Sequence, residues 1–367
     1  MSPRLLTLSR FTTTTATTIT TKGIHSYRAF SSKLTPSNYA FAFDIDGVLI
    51  KGKRTIPEAR SAIRMLNGDN ALGRKVPFVL LTNGGGVTEQ AKAEQISNML
   101  DVQISPEQVV LSHSPMQALV DQYKDKNVLV VGGKDRECFE VAKGYGFNNV
   151  IIPDDIHHWQ SSVWPFRHPS RDSLSPDADS LDFSKIPIGA VMMFHDSRDW
   201  GRDIQIMLDV ICSENGVVGT QKGDCTVQEI PIYFSNNDII WSTEFPVPRL
   251  GQGSFKMALE SVYKTLTGTN LQSTSYGKPY PTTYAFAEQV LGRINNGKKP
   301  SRIYAVGDNP AADIQGANNY GWSSILVRTG VFQEPGNSSH FPATSVCQHV
   351  EEAVKWVIQQ EEGKNES

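Results

Sequence analysis

Two aspartates, Asp44 and Asp46, follow directly on the apolar run 39–43 and precede Gly47. Alternate residues of an extended chain face one way, so this spacing turns both carboxylates into one crevice. Two carboxylates that close repel unless a proton or a cation separates them. Mg2+ takes oxygen ligands of this kind and keeps waters that a phosphate can displace. The string Asp-x-Asp-Gly also opens EF-hand calcium loops, but those need a ligand at the fifth position and a Glu at the twelfth. Here those positions hold Val48 and Thr55, so a calcium loop is excluded.

Three further groups have types suited to phosphate chemistry. Thr82 and Asn83 end the apolar run 77–81 and lead into Gly84-Gly85-Gly86. Backbone N–H groups of such a loop can approach an anion closely, although read alone the loop is equally a flexible turn. Lys278, in Tyr276-Gly277-Lys278-Pro279, offers the point charge that a phosphoryl group attracts; read alone, it is a surface lysine. Asp308 ends the run 302–306, and Asp313 falls in the first turn of the next helix, where acids are favoured in any case.

Strands positioning these residues are expected over 39–43, 77–81, 127–131, 188–194, 230–234, 302–306 and 324–327. Helices are expected over 57–67, from the cap Thr88 to Leu100 with Glu89 in its first turn, within 106–123, and over 200–214, 254–266, 281–291, 311–320 and 350–360. This alternation is that of βαβ units and a parallel sheet. Residues 154–185, with His157, His158, Trp159, Trp164 and Phe166, show no period and read as a long irregular loop. A metal role for the adjacent pair His157 and His158 lacks any supporting acid or cysteine spacing.

The chain has 367 residues, 39% hydrophobic and 20% charged, which suits two or three globular domains. A formal charge of −3 gives no basic footprint for nucleic acid. No run approaches the ~20 apolar residues of a membrane span. The four cysteines are far apart in sequence and form no CxxC, so neither a zinc site nor a disulfide framework is indicated. No acid precedes Asp44, whereas Arg4, Arg10, Lys22, Arg28 and Lys33 lie in a Thr/Ser-rich leader. That composition is the signature of a mitochondrial transit peptide, with cleavage expected after Phe30 in Arg28-Ala29-Phe30-Ser31 and the matrix as destination.

Taken together and in order, Asp-x-Asp, Thr-Asn, Lys and Gly-Asp-x-x-x-x-Asp resemble the haloacid dehalogenase superfamily. The resemblance implies a doubly wound parallel α/β sheet of Rossmannoid type with an inserted α/β cap of the C2 type. The implied division is 1–38 transit peptide and linker, 39–103 and 270–350 core, 104–269 cap, and 351–367 terminal helix and tail. It implies Asp44 as nucleophile and Asp46 as general acid and base. Thr82, Asn83 and Lys278 would hold the substrate phosphate. Asp44, Asp46 (through its carbonyl), Asp308 and Asp313 would hold Mg2+. Phe234-Ser235-Asn236-Asn237-Asp238 and Gly251-Gln252-Gly253 resemble the subfamily of the nucleotide phosphatase NagD, nitrophenylphosphatases and phosphoglycolate phosphatase. One departure is Gly84, where those relatives often carry a second Asn. Ser112-His113-Ser114-Pro115-Met116 and Phe194-His195-Asp196-Ser197-Arg198-Asp199-Trp200 look like the cat eye syndrome critical region protein 5 family, a group of mitochondrial hydrolase-like proteins. His113 and His195 in these motifs read as hydrogen-bonded structural residues, with a position facing the substrate as the alternative. The implied activity is hydrolysis of a small phosphorylated metabolite. Alternatives are a non-catalytic protein that keeps the fold, and a role in mitochondrial glycerophospholipid metabolism. Relatives commonly dimerise through the cap, which leaves a homodimer open.

Overall fold

The structure, a computed structural model, describes residues 36–363 apart from Leu72 and Ser242. The expected transit peptide lies outside the described residues.

The strand Tyr39–Phe43 sits near the middle of a six-stranded sheet. On one side it pairs with Arg302–Gly307, followed by Ser323–Val327 and Ser345–Cys347; on the other it pairs with Phe78–Leu81, followed by Val109–Val110. Every one of these pairings is parallel. The period of two divides the strand between two cores. Phe41 and Phe43 pack on one face, in a cluster with residues of the helices Ala59–Leu66, Glu89–Leu100 and Val350–Gly363. Ala40 and Ala42 pack on the other, against Pro281–Ile294 and Gln315–Tyr320. With both faces covered, the strands read as near-continuous apolar runs rather than alternating ones. The expected doubly wound core is observed.

A second parallel sheet, of five strands, forms the cap. Its order is Thr274–Ser275, Ile232–Phe234, Ile188–Met193, Asn127–Val131, Asn149–Ile151. The helices Trp200–Ile211 and Gln252–Thr267 cover one face and Glu137–Tyr145 the other.

Several expectations need correcting. Val109–Val110 belongs to the core sheet and Thr274–Ser275 to the cap sheet, so the sheets divide the chain later than 103/104 and 269/270. Two-residue edge strands are too short to leave a periodic trace. The helix expected within 106–123 is the short Val120–Tyr123, preceded by two 3-10 segments around that edge strand. The helix Glu137–Tyr145 and the strand Asn149–Ile151 were not foreseen. Residues 154–185 are not a structureless loop: they hold most of the helix Pro153–Trp159 and three 3-10 turns.

Candidate active site

Past Phe43 the backbone turns sharply. Asp44 N–H still donates to Val306 in the neighbouring strand (2.9 Å), while the Ile45 carbonyl accepts from Leu49 and Ile50 (2.9 and 3.0 Å). Gly47 makes the turn with φ +89°, and a Cβ there would run into the Asp308 carboxylate. Glycine is required on both counts.

Four chain segments converge beyond these strand ends. Lys278 is buried, with its ammonium 2.7 Å from Asp44 Oδ1 and 2.6 Å from Asp313 Oδ1. Asp308 is buried and accepts from Val331 N–H (2.5 Å). Asp313 is held by its second oxygen, which accepts from the N–H groups of Asp308 and Asn309 (3.1 and 2.9 Å). Thr82 Oγ1 accepts from Gly84 N–H at 2.9 Å, which leaves its own O–H to donate. All four segments line one pocket, whose roof comes from the cap residues His195, Asp196, Arg198, Asn236 and Asp238.

Asn83 departs from expectation. Its Oδ1 accepts from Lys278 N–H (2.7 Å), and its Nδ2 donates to the Lys278 carbonyl and to Asp238 (both 2.9 Å). Both amide hydrogens are used, so no side-chain donor remains for a phosphate. Asn83 instead clamps the loop carrying Lys278. Its carbonyl in turn accepts from Asn236 Nδ2 (2.9 Å), tying the cap to the same point. Its partners lie 153 to 195 residues away in the chain, which hides the role from any local pattern.

A haloacid dehalogenase-like hydrolase model matches residues 41–148, and a second model of that hydrolase type matches residues 275–353. A mitochondrial hydrolase of Saccharomyces cerevisiae is 40% identical over 344 residues, covering 87% of this chain and 95% of that protein. The chain belongs to the haloacid dehalogenase-like hydrolases. It is also 43% identical, over 89% of its length, to a cardiolipin synthase and mitochondrial hydrolase fusion protein of Schizosaccharomyces pombe, of which it spans 54%. Its fold resembles that of a p-nitrophenyl phosphatase from Archaeoglobus fulgidus, with a TM-score of 0.57 at 16% identity over 88% of this chain and all of that one.

The electrostatics of this hydrolase site follow from burial. Burial pushes the Asp44 carboxyl up to about 7; Lys278 pulls it down, and Asp313 and Asp46 push it further up. Burial also raises Asp308 well above the usual carboxylate range, with Asp313 and Asp44 adding to it. Burial alone would lower Lys278, yet Asp313 and then Asp44 hold its ammonium above the ordinary lysine range. One ammonium thus faces three acids.

Ligand oxygens of Asp44, Asp308 and Asp313 lie within 4.8 Å of one another. Three oxygen donors with excess negative charge fit a hard divalent cation. The Asp46 carboxylate lies outside this group and is raised by burial, with Lys92 and Lys278 opposing. His157 and His158 belong to no such group among the described residues; His158 Nε2 instead meets Asp179 at 2.7 Å. His113 is a buried structural residue bonded to the Tyr145 hydroxyl (2.7 Å). His195 lines the pocket itself, and so do Lys92 and Arg198, to which the sequence assigns no role. No motif marks Lys92, a lone basic residue on a helix, whereas Arg198 falls within the 194–200 string without an assigned role.

Proposed function

We propose that the chain is a phosphohydrolase acting on a phosphate monoester through Asp44. The observation that carries this reading is the Lys278 ammonium, held 2.7 Å from Asp44 in the pocket that Asp308 and Asp313 also line. An Asp44 oxygen attacks phosphorus, and the bond to the leaving oxygen breaks. Asp46, protonated in this step, gives its proton to that oxygen. Water then attacks the aspartyl-phosphate while Asp46 takes its proton, releasing phosphate and restoring Asp44. Thr82 O–H, the main-chain N–H of Asn83 and Lys278 would hold the phosphoryl oxygens. Asp44, Asp308, Asp313 and the Asp46 carbonyl would hold Mg2+, which when bound neutralises charge on the transferring group. The cap roof excludes competing water.

A cavity of about 230 Å³ suits a small substrate. The Thr/Ser-rich, acid-free leader and the mitochondrial names of two relatives support a mitochondrial location, with the matrix as the compartment a cleaved leader would reach. A second reading, a lipid-linked phosphate, draws on Ile240 and Trp241 at the pocket, each 39% exposed, and on the cardiolipin synthase part of the fusion relative.

The test is turnover of p-nitrophenyl phosphate and a panel of phosphorylated metabolites, with and without Mg2+. Wild type should be active only with Mg2+, and Asp44→Asn should lose nearly all activity while remaining folded. A wild type inert on every phosphate would favour the non-catalytic alternative.

A further inference from the structure

One wall of the pocket carries two cations that the proposed chemistry does not use. Lys92 comes from the core helix Glu89–Leu100 and Arg198 from the cap loop beyond Ile188–Met193. Lys278 is already matched by Asp44 and Asp313. Lys92 and Arg198 have no hydrogen-bonded or ion-paired partner among the described residues. The acid acting on Lys92 is Asp46, and Asp196 lies near Arg198, but neither acid reaches ion-pair distance. Lys92 is half-buried, and an unpaired cation removed from water is costly. An anion arriving from the pocket would recover that cost.

His195 lies within electrostatic reach of both. Burial, followed by Arg198, His113 and Lys92, pulls its imidazole down to about 3, so it is neutral at physiological pH. Its Nδ1 has no hydrogen-bond partner, and Asp196 is 3.5 Å away. Its position is fixed by glycines on both sides. A Cβ on Gly86 would overlap the His195 ring, and one on Gly132 would overlap its carbonyl. The His195 ring thus sits directly against the backbone at Gly86. His195 is thereby held in place, while Lys92 is half-buried and Arg198 exposed, both free to order on an anion.

We infer that the substrate carries a second anionic group, a carboxylate or a second phosphate, which Lys92 and Arg198 bind across the pocket from the phosphoryl group at Asp44. This rests on the phosphohydrolase reading. The small cavity keeps both charges within one compact molecule or headgroup. A substrate with one charged group would leave Lys92 unpaired.

Calorimetric titration of the full chain at fixed free Mg2+ tests this without requiring turnover. The probes are methylphosphonate, with one anionic group, and phosphonoacetate and methylenediphosphonate, with two. At least one two-anion probe should bind wild type about tenfold or more tighter than methylphosphonate, as expected for added charge-assisted hydrogen bonds. Whichever gains more identifies the second group as carboxylate or phosphate. Lys92→Gln and Arg198→Gln should each bring the ratio down several-fold, and Lys92→Arg should retain most of it. A wild-type ratio below about tenfold for both probes, or a ratio unchanged in both Gln variants, overturns the inference. p-Nitrophenyl phosphate turnover is read separately. An intact binding preference without turnover would sink the phosphohydrolase reading and keep the subsite. Turnover without the preference would do the reverse.

Discussion

The core and the cap each place a base among buried acids beyond their parallel strands, and the two clusters behave differently. In the cap, Arg202 meets Asp154 (2.8 Å) and Asp203 (2.9 Å), with all three side chains at most 13% exposed. Ser173 and Ser197 hydroxyls donate to the same two carboxylates, at 3.1 and 2.7 Å. A guanidinium fork and two hydroxyls satisfy two acids, so this cluster holds the cap's helices together and is complete in itself. In the core, one ammonium faces Asp44, Asp308 and Asp313, and among the described residues no hydroxyl donates to these carboxylates. The difference is one of charge balance: both clusters line a pocket, but the acids of the cap cluster are matched by the fork and two hydroxyls, while the core cluster keeps excess negative charge, which suits the cation and phosphate of the proposed function.

That contrast can be broken by substitution. After the near-total loss expected of Asp44→Asn, the largest effect on rate should come from Asp46→Asn, a fall of about 10²–10⁴-fold, the range of general acid–base catalysis. The fall should shrink on p-nitrophenyl phosphate, whose leaving group needs little protonation. Steady-state kinetics on an alkyl and an aryl ester check both. Arg202→Ala should instead act on stability, by about 3–5 kcal/mol, because it strands two buried acids. Denaturant unfolding measures this, and the activity of the folded fraction should be preserved. A loss of kcat at unchanged fold would show that the cap cluster is not merely structural.

Asn83→Ala probes the junction between the two regions. It removes three hydrogen bonds at once and leaves Lys278 N–H and Asp238 short of partners. A loss of about 1–3 kcal/mol in stability is expected, with a fall in activity as Lys278 shifts. Thermal unfolding and kinetics on the same variant check it.

The smallest effect sharpens the core side. Asp44 titrates at about 7 in the folded metal-free chain against an ordinary 3.8. Between those values the folded state binds the extra proton, so metal-free stability should fall as pH rises through that window. Mg2+ favours the charged carboxylates and should remove this loss. The Mg2+-induced rise in Tm should therefore be larger at about pH 7.5 than at about pH 5, and Asp308→Ala should lose most of it. An equal Mg2+ response in that variant would place the metal elsewhere.

How much of this was visible in the chain alone follows the same division. The core acids sit at the ends of apolar strands, where the period of two puts Asp44 and Asp46 beside the crevice, and their order along the chain carries the family resemblance. The cap wall is marked only by the family-like string 194–200, which says nothing of where its side chains point. His195 and Arg198 sit on a turn whose position depends on Gly86 and Gly132, far away in sequence. Residues 154–185 looked irregular because their order comes from single contacts, such as Asp155 accepting from Ser175 N–H (2.8 Å) and Ser173 bonding Asp154, rather than from a repeating apolar face. Asn83 was assigned to the phosphate because it adjoins Thr82, while its partners lie across the cap insertion.

The most direct test of the account is where phosphate becomes attached. Wild-type protein incubated with Mg2+ and p-nitrophenyl [³²P]phosphate, then quenched in acid, should carry label on one peptide, at Asp44, and hydroxylamine should release it as an acyl phosphate. Label on another residue, or turnover that persists at the wild-type rate in Asp44→Asn, would contradict Asp44 as the nucleophile.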